Sequence, residues 1–239
     1  EAIDRGYLVT LATGRMYRSA LSYAQELGIK LPLVTYNGAL VKDPSTGKTL
    51  AHWPLALETA KCIVGELLDQ DIYVQAYVND TLLVPADCAK AQYYAKFSRV
   101  PFEVAGAGLR QLAEAPHKLL VIDDDPEPIR RHLVTVYGNA IKIVSSSKGF
   151  LEITDPETNK WRALQFLMKR FEVTREEILT VGDSDNDYEM VAHAGVGVAM
   201  GNAKETIQKA ARIITASNTQ SGVSLILRSV MTNQVDVPE

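Results

Sequence analysis

The segment 179–187 constrains the fold of this chain more than any other part of its sequence. Leu179-Thr180-Val181 is typical of the end of a buried strand, and Gly182 lets the backbone turn sharply after it. Four polar side chains follow within five residues: Asp183, Asp185, Asn186 and Asp187. A strand that passes into a helix through polar residues is typical of the carboxyl edge of a parallel sheet, where ligands bind. The segment therefore predicts an α/β fold with a ligand site at 183–187.

Clustered aspartates at such an edge suit a hard divalent cation. Mg2+ takes one or two carboxylates in proteins and keeps room for waters and substrate phosphate. The alternative is a structural role only, in which Asp183 and Ser184 cap the helix predicted at 184–193.

Short apolar strands alternate with amphipathic helices toward both ends of the chain, which predicts a doubly wound parallel sheet. Over residues 56–155 the pattern of predicted strands and helices changes. We interpret this segment as a separate α+β cap domain inserted into a core of 1–55 and 156–239. The predicted core elements are a strand at 7–12, a helix from 17 to Gly28, a strand at 33–36, a hairpin at 37–53, helices at 159–170, 184–193, 203–211 and 221–231, and strands ending at 181 and 199. The predicted cap elements are helices at 57–69, 87–98 and 127–137 and strands at 72–78, 81–85, 118–123, 140–145 and 150–154.

Three polar residues fall at the ends of predicted core elements: Thr13, Lys160 and Asp183. A hydroxyl, an ammonium and a metal-binding carboxylate are the groups that phosphoryl transfer requires, because the reaction depends on positioning and on neutralising charge. Each also has a simpler interpretation. Thr13 could be a turn or N-cap hydroxyl, and Lys160 could be a solvated lysine at an exposed helix start.

Composition excludes several classes of function. With 239 residues and a net charge of −4, the chain has no general attraction for nucleic acid or anionic membranes. Its two cysteines have no metal or redox spacing. No apolar stretch of membrane-spanning length and no apolar leader is present in the sequence, so we expect a cytoplasmic protein. The sequence does not predict its oligomeric state.

These motifs together resemble the Cof-type sugar phosphatases of the haloacid dehalogenase superfamily, in the class IIB group with a large inserted α+β cap. The resemblance covers essentially the whole chain in order. It rests on Leu11-Ala12-Thr13-Gly14-Arg15, Tyr36-Asn37-Gly38-Ala39-Leu40, Asn159-Lys160 with Ala163-Leu164, and Gly182-Asp183-Ser184-Asp185-Asn186-Asp187 through Gly201-Asn202-Ala203.

The resemblance implies a role for each matching residue. Thr13 and Lys160 would bind the transferring phosphoryl group. Asp183 would be a Mg2+ ligand, and Asp187 the second acidic position, as a hydrogen-bond partner or an outer-shell ligand. The remaining substrate and phosphate contacts would come from Gly14, Arg15, Asn37 and Asn186. The sequence departs from the family at Trp161, where a small residue is usual.

A larger departure concerns the first motif of the family, Asp-x-Asp-Gly-Thr at the end of an apolar strand, whose aspartates are the nucleophile and the general acid/base. Residues 1–12 do not contain it. Leu120-Val121-Ile122-Asp123-Asp124-Asp125 mimics it but lacks the Gly-Thr and falls within the predicted cap. We therefore expect the nucleophile strand to lie before Glu1 in the natural protein. The other possibility is a chain that starts at Glu1 and lacks this chemistry.

The implied function is a Mg2+-dependent phosphomonoesterase that acts on small phosphorylated metabolites, sugar phosphates first, through an aspartyl-phosphate intermediate. Two alternatives stay open. A phosphosugar mutase like the phosphomannomutases would use the same core and return the phosphoryl group to a second hydroxyl. A non-catalytic phosphometabolite-binding protein would fit a chain that starts at Glu1.

Overall fold

The computed structural model describes residues 1–232, without the side chain of Ser146. Its contacts divide the chain into two compact units. The central unit is Leu11–Thr158, and the terminal unit combines Glu1–Thr10 with the chain from Asn159 onward. Within residues 1–232 no helix has both the length and the apolar character that a membrane span requires.

The central unit begins with one helix and a three-stranded antiparallel sheet. Its elements are α1 (Tyr17–Glu26), β1 (Leu33–Thr35), β2 (Leu40–Lys42) and β3 (Thr49–His52). The strands pair in the order β1-β2-β3. The predicted hairpin at 37–53 is confirmed, and its turn is closed by Asp43, whose carboxylate accepts hydrogen bonds from the backbone N–H groups of Ser45 and Thr46.

The rest of the central unit is a larger sheet with helices. Its elements are α2 (Leu57–Asp69), β4 (Val74–Val78), β5 (Thr81–Val84), α3 (Ala89–Ser98), β6 (Phe102–Val104), β7 (Lys118–Ile122), α4 (Glu127–Tyr137), β8 (Lys142–Ser147) and β9 (Phe150–Thr154). The six strands lie in the order β6-β5-β4-β7-β9-β8. Apolar residues of α2 and α4 pack with every second residue of β4, β7 and β9 into one buried cluster.

The terminal unit contains a parallel sheet and four helices. Its elements are α5 (Lys160–Phe171), β10 (Leu179–Gly182), α6 (Tyr188–His193), β11 (Val196–Ala199), α7 (Glu205–Ala210), β12 (Ile213–Ile214) and α8 (Gly222–Met231). Strands β10, β11 and β12 pair in parallel in that order. The predicted α/β class with a parallel sheet is therefore confirmed.

The predicted strand at 7–12 is wrong as a regular strand. Only Ala12 forms a bridge, to Val34, while Tyr7 and Leu8 are exposed. An apolar extended segment becomes a strand only where a neighbouring backbone satisfies its N–H and C=O groups, and the described residues offer that pairing at one position. The pattern also missed β6 and β12, which are too short to show a period.

The boundary between the predicted core and cap differs from the division into compact units. Residues 159 onward separate close to the predicted junction at 155–156, but residues 11–55 group with 56–158 rather than with the C-terminal part. Hydrogen bonds that join α1 and the β1–β2 connection to the six-stranded sheet account for this grouping, as described below. The domain division into 1–55 with 156–239 and 56–155 stays a prediction.

Candidate active site: two buried ion pairs beneath polar loops

The loop after β10 is held closed by its own side chains. Asp187 accepts hydrogen bonds on Oδ2 from the backbone N–H of Asp183 at 2.9 Å and of Ser184 at 3.1 Å. Ser184 and Asp187 form a capping box for the 3₁₀ turn 185–187, which leads into α6. Gly182 is required here, because a Cβ on it would lie 2.5 Å from Cβ of Asp187. Part of the predicted helix 184–193 is therefore this tighter turn.

Lys160 is buried and paired within the terminal unit. It is the first residue of α5, whose N-cap Asn159 accepts a hydrogen bond from the backbone N–H of Arg162. The Lys160 Nζ lies 2.6 Å from Asp187 Oδ1, and the two residues are only 5% and 4% exposed. The interpretation of Lys160 as an exposed helix-start lysine is therefore wrong. Trp161 does not displace it, since the Trp161 ring lies against the ring of His193.

The three aspartates of the loop have different surroundings. Both Asp187 oxygens are engaged, one by Lys160 and one by backbone amides. Asp185 pairs with Lys204. Asp183 is exposed and accepts a hydrogen bond from the Ser184 hydroxyl at 3.1 Å. Of the three, Asp183 thus presents its carboxylate most openly to a ligand.

The donor set at this loop fits a hydrated cation. Among residues 1–232 no cluster of three or more histidine, cysteine or acidic side chains is arranged to enclose a metal. Mg2+ does not need one, because it commonly binds through one or two carboxylates and retains several waters. Asp183 can supply such a carboxylate. Asp187 is engaged in a way that suits an outer-shell position, and Asn186 lies half-buried between them in sequence.

Thr13, Gly14, Arg15 and Asn37 come together in the central unit. The Thr13 N–H donates to the carbonyl of Val34 at 2.9 Å, and the Asn37 N–H donates to the carbonyl of Thr13 at 3.0 Å. The Arg15 N–H donates to the Thr13 hydroxyl at 3.2 Å. A Cβ on Gly14 would lie 2.7 Å from Oδ1 of Asn37, so only glycine fits beside that amide.

Two buried charges that the sequence analysis missed hold this loop. The Asn37 Nδ2 donates to Glu152 Oε2 at 2.6 Å, and Lys118 Nζ lies 3.1 Å from the same oxygen. Lys118 also donates to the carbonyl of Gly14 at 3.2 Å. Burial lowers the pKa of Lys118, but the charge of Glu152, the neighbouring Tyr94 and the hydrogen bond to Glu152 together outweigh it and leave the pKa raised. The sequence carried one signal for this pair: Lys118 and Glu152 are charged residues in two mostly apolar strands, β7 and β9.

A second network joins α1 to the six-stranded sheet. Asp80, in the β4–β5 turn, accepts hydrogen bonds from the backbone N–H of Arg18 at 3.0 Å and from the Tyr36 hydroxyl at 2.7 Å. It thereby places a carboxylate at the N-terminus of α1, where the helix dipole favours negative charge. Burial, followed by the Asp80 charge, raises the pKa of Tyr36 well above its usual value.

His117 supports the Asp80 turn from the other side. Its Nε2 accepts a hydrogen bond from the backbone N–H of Asp80, so its Nδ1 carries the proton and donates to Nε2 of His52 at 2.7 Å. Burial, with smaller contributions from His52 and Lys42, lowers the pKa of His117 to about 3. The ring is therefore neutral at physiological pH.

The sequence profile of haloacid dehalogenase-like hydrolases matches residues 1–227 of this chain. The chain belongs to this family. Three similar proteins agree with the assignment. A Bacillus subtilis relative, 5-amino-6-(5-phospho-D-ribitylamino)uracil phosphatase YitU, is 32% identical, and the alignment covers 94% of this chain and 85% of the relative.

Two solved structures are similar in fold to this haloacid dehalogenase-like hydrolase. A Thermotoga maritima protein matches with a TM-score of 0.84 at 33% identity, over 95% of this chain and 86% of that one. A sugar phosphatase of haloacid dehalogenase subclass IIB matches with a TM-score of 0.80 at 20% identity, over 98% and 88% of the two chains. The resemblance to the Cof-type phosphatases of the haloacid dehalogenase superfamily is thus confirmed, and the chain is a phosphatase of this superfamily.

The Asp123–Asp125 run follows a strand of the six-stranded sheet. Strand β7, which precedes it, lies between β4 and β9 and is antiparallel to both. The Asp123 carboxylate accepts a hydrogen bond from the N–H of Asp125 and pairs with Lys90. This environment supports the interpretation of the run as a turn at the end of a cap strand.

Proposed function

We propose that this phosphatase is a Mg2+-dependent phosphomonoesterase whose substrates are small phosphorylated sugars and sugar alcohols. The observation that carries the proposal is the buried Lys160–Asp187 pair, whose aspartate accepts a hydrogen bond from the backbone N–H of Asp183, a residue that is itself exposed. Three backbone and side-chain groups fix Asp187, and Asp187 fixes the ammonium of Lys160. A preorganised cation of this kind stabilises charge that develops on a phosphoryl group without reorganisation during the reaction.

Each predicted residue has a defined task in this proposal. Lys160 would neutralise charge on phosphoryl oxygens, and the Thr13 hydroxyl would, as the resemblance implies, donate to a phosphoryl oxygen. Gly14, Arg15, Asn37 and Asn186 contribute the remaining phosphate and substrate contacts. Asp183 holds Mg2+, which when bound neutralises phosphate charge and orients the ester. Asp187 acts behind them by holding Lys160 and the loop.

The covalent step would belong to the first family motif, Asp-x-Asp-Gly-Thr, which residues 1–239 do not contain. Its first aspartate would attack phosphorus and form an aspartyl phosphate, and its second would protonate the leaving alcohol and then activate water. Two separate transfers of this kind divide one difficult displacement into two easier ones. The predicted cap at 56–155 would exclude bulk water and select the substrate.

Two similar proteins support the proposed substrate class. YitU acts on 5-amino-6-(5-phospho-D-ribitylamino)uracil, a phosphate ester of a sugar alcohol, and the subclass IIB neighbour is a sugar phosphatase. We therefore place phosphorylated pentitols and sugars first among candidate substrates. The cytoplasmic location stays a prediction, as does the absence of a nucleic-acid or membrane partner.

The test is phosphate release by the full-length natural protein from a panel that contains this ribitylaminouracil phosphate, several sugar monophosphates and p-nitrophenyl phosphate. We expect release that requires Mg2+ and stops when EDTA is added. Interconversion of sugar bisphosphates without release of phosphate would favour the mutase instead. Binding of phosphosugars with neither reaction would favour a non-catalytic protein and refute the proposal.

A further inference from the structure

The six-stranded sheet of the central unit has one face that is buried but not apolar. Leu151 and Ile153 of β9 point into the apolar cluster with α2 and α4, and Glu152 between them points to the other face. That face also carries Gln75, Tyr77 and Lys118, and none of these four polar residues is more than 5% exposed. Buried charges destabilise a fold unless they are paired, so their presence calls for an explanation.

The charged pair on this face reaches beyond the sheet. Glu152 Oε2 accepts hydrogen bonds from Lys118 and from the Asn37 amide, while Lys118 also donates to the carbonyl of Gly14. Two adjacent strands thereby hold two loops that lie more than a hundred residues away in sequence. Both loops carry residues assigned above to phosphate and substrate contacts.

We propose that Lys118 and Glu152 are positioning residues for phosphoryl transfer, which fix the Thr13–Arg15 loop and Asn37 from the sheet. The inference rests on the proposed function of that loop. Lys118 sets the position of the Gly14 peptide, and Glu152 sets the orientation of the Asn37 amide. The absence of a Cβ on Gly14 lets this amide lie directly against the loop, so the two groups move together.

A role in sheet stability alone does not explain the pair. Buried ion pairs replaced by apolar residues of similar volume often leave stability unchanged or raise it. Gln75 shows that the same face accommodates a neutral polar residue at the same depth, since its side chain bonds to the hydroxyls of Tyr73 and Tyr77. Neither bond involves the Gly14 or Asn37 loops, which makes Gln75 a matched control.

The experiment compares Lys118→Met and Glu152→Gln with Gln75→Met in the full-length natural protein, each assayed well below its melting temperature. We expect kcat for p-nitrophenyl phosphate to fall roughly tenfold to a hundredfold in the first two variants, with a smaller change in KM, because small displacements of reacting groups have effects of this size. Gln75→Met should lose thermal stability and keep its kcat. Amide hydrogen exchange in segments 11–15 and 36–40 should accelerate in Lys118→Met but not in Gln75→Met.

The outcomes separate this inference from the proposed function. A wild-type protein without phosphatase activity refutes the proposed function, while hydrogen exchange still tests the attachment of the loops. An active wild type whose Lys118→Met and Glu152→Gln variants keep their kcat, or whose loop exchange matches Gln75→Met, overturns the inference. If either single variant fails to fold, the double variant Lys118→Met/Glu152→Met removes both charges together. A folded double variant with near-wild-type kcat overturns the inference equally.

Discussion

Replacing Lys160 by methionine tests the candidate active site most directly. The change keeps much of the side-chain volume and removes the ammonium that lies 2.6 Å from Asp187. If this cation stabilises the phosphoryl group in the transition state, kcat should fall by about a hundredfold or more, as it does when other preorganised charge donors are removed. The assay is steady-state phosphate release from the best sugar or sugar-alcohol phosphate, with the full-length natural protein.

The structure also predicts a loss of stability for Lys160→Met. An exposed lysine, the simpler interpretation of the sequence, could be replaced with little loss of stability, but Lys160 is 5% exposed and its loss leaves the Asp187 carboxylate buried. Removal of one partner from a buried pair destabilises a protein by about 3 kcal/mol or more. Asp187 retains two backbone donors, which favours the lower value. The melting temperature should therefore fall by about 6–12 °C.

A double variant separates catalysis from folding. Lys160→Met/Asp187→Asn removes both charges, so part of the lost stability should return while kcat stays low. Lys160→Arg should restore little activity, because a broad guanidinium does not replace a compact ammonium at a buried position. A lowered melting temperature combined with wild-type kcat in Lys160→Met would show that the pair is structural and that the phosphate site lies elsewhere.

Four further variants test three single features. Asp183→Ala should abolish Mg2+-dependent turnover, whereas Asp185→Ala, in the same loop, should keep it; equal Mg2+ titrations of the two would reduce the cluster to a helix cap. Gly14→Ala should destabilise by about 1–3 kcal/mol because its Cβ collides with the Asn37 amide, and an unchanged melting temperature would contradict this. The pKa of His117 is lower in the folded state than in the unfolded state, so the unfolded state binds more protons. The free energy of unfolding therefore decreases as the pH is lowered from about 6.5 to about 3. His117→Asn should flatten that part of the stability profile measured by urea unfolding.

The elements that sequence could predict are those whose signals are local. Helix α2 begins and ends at the predicted residues because its apolar period is regular from Leu57 to Asp69. The β4–β5 turn follows from Asn79 and Asp80, which both adopt left-handed φ angles that these residue types tolerate. The segment 7–12 failed for the opposite reason, since a strand depends on a partner backbone that an apolar pattern cannot reveal.

The same distinction holds for the candidate site. Motif spacing predicts Thr13, Lys160 and Asp183 as site residues, because phosphoryl transfer requires these chemical groups at the ends of core elements. It could not show that Lys160 is buried, since its partner lies 27 residues further along the chain. Nor could it connect Asn37 with Glu152 across 115 residues. Contacts between residues so far apart in the chain depend on tertiary packing and produce no periodic pattern in the sequence.

The two buried ion pairs suggest how the phosphatase keeps its polar loops rigid. In the terminal unit, Lys160 is held by Asp187, and in the central unit, Lys118 is held by Glu152. Each acidic partner also accepts hydrogen bonds from a loop that carries predicted site residues. A pair of this kind contributes little net stability compared with an apolar replacement, so its effect lies in fixing orientation. Fixed dipoles and charges stabilise a transition state only when they need not reorient, and the role proposed for the buried pair in each unit is to supply that restraint.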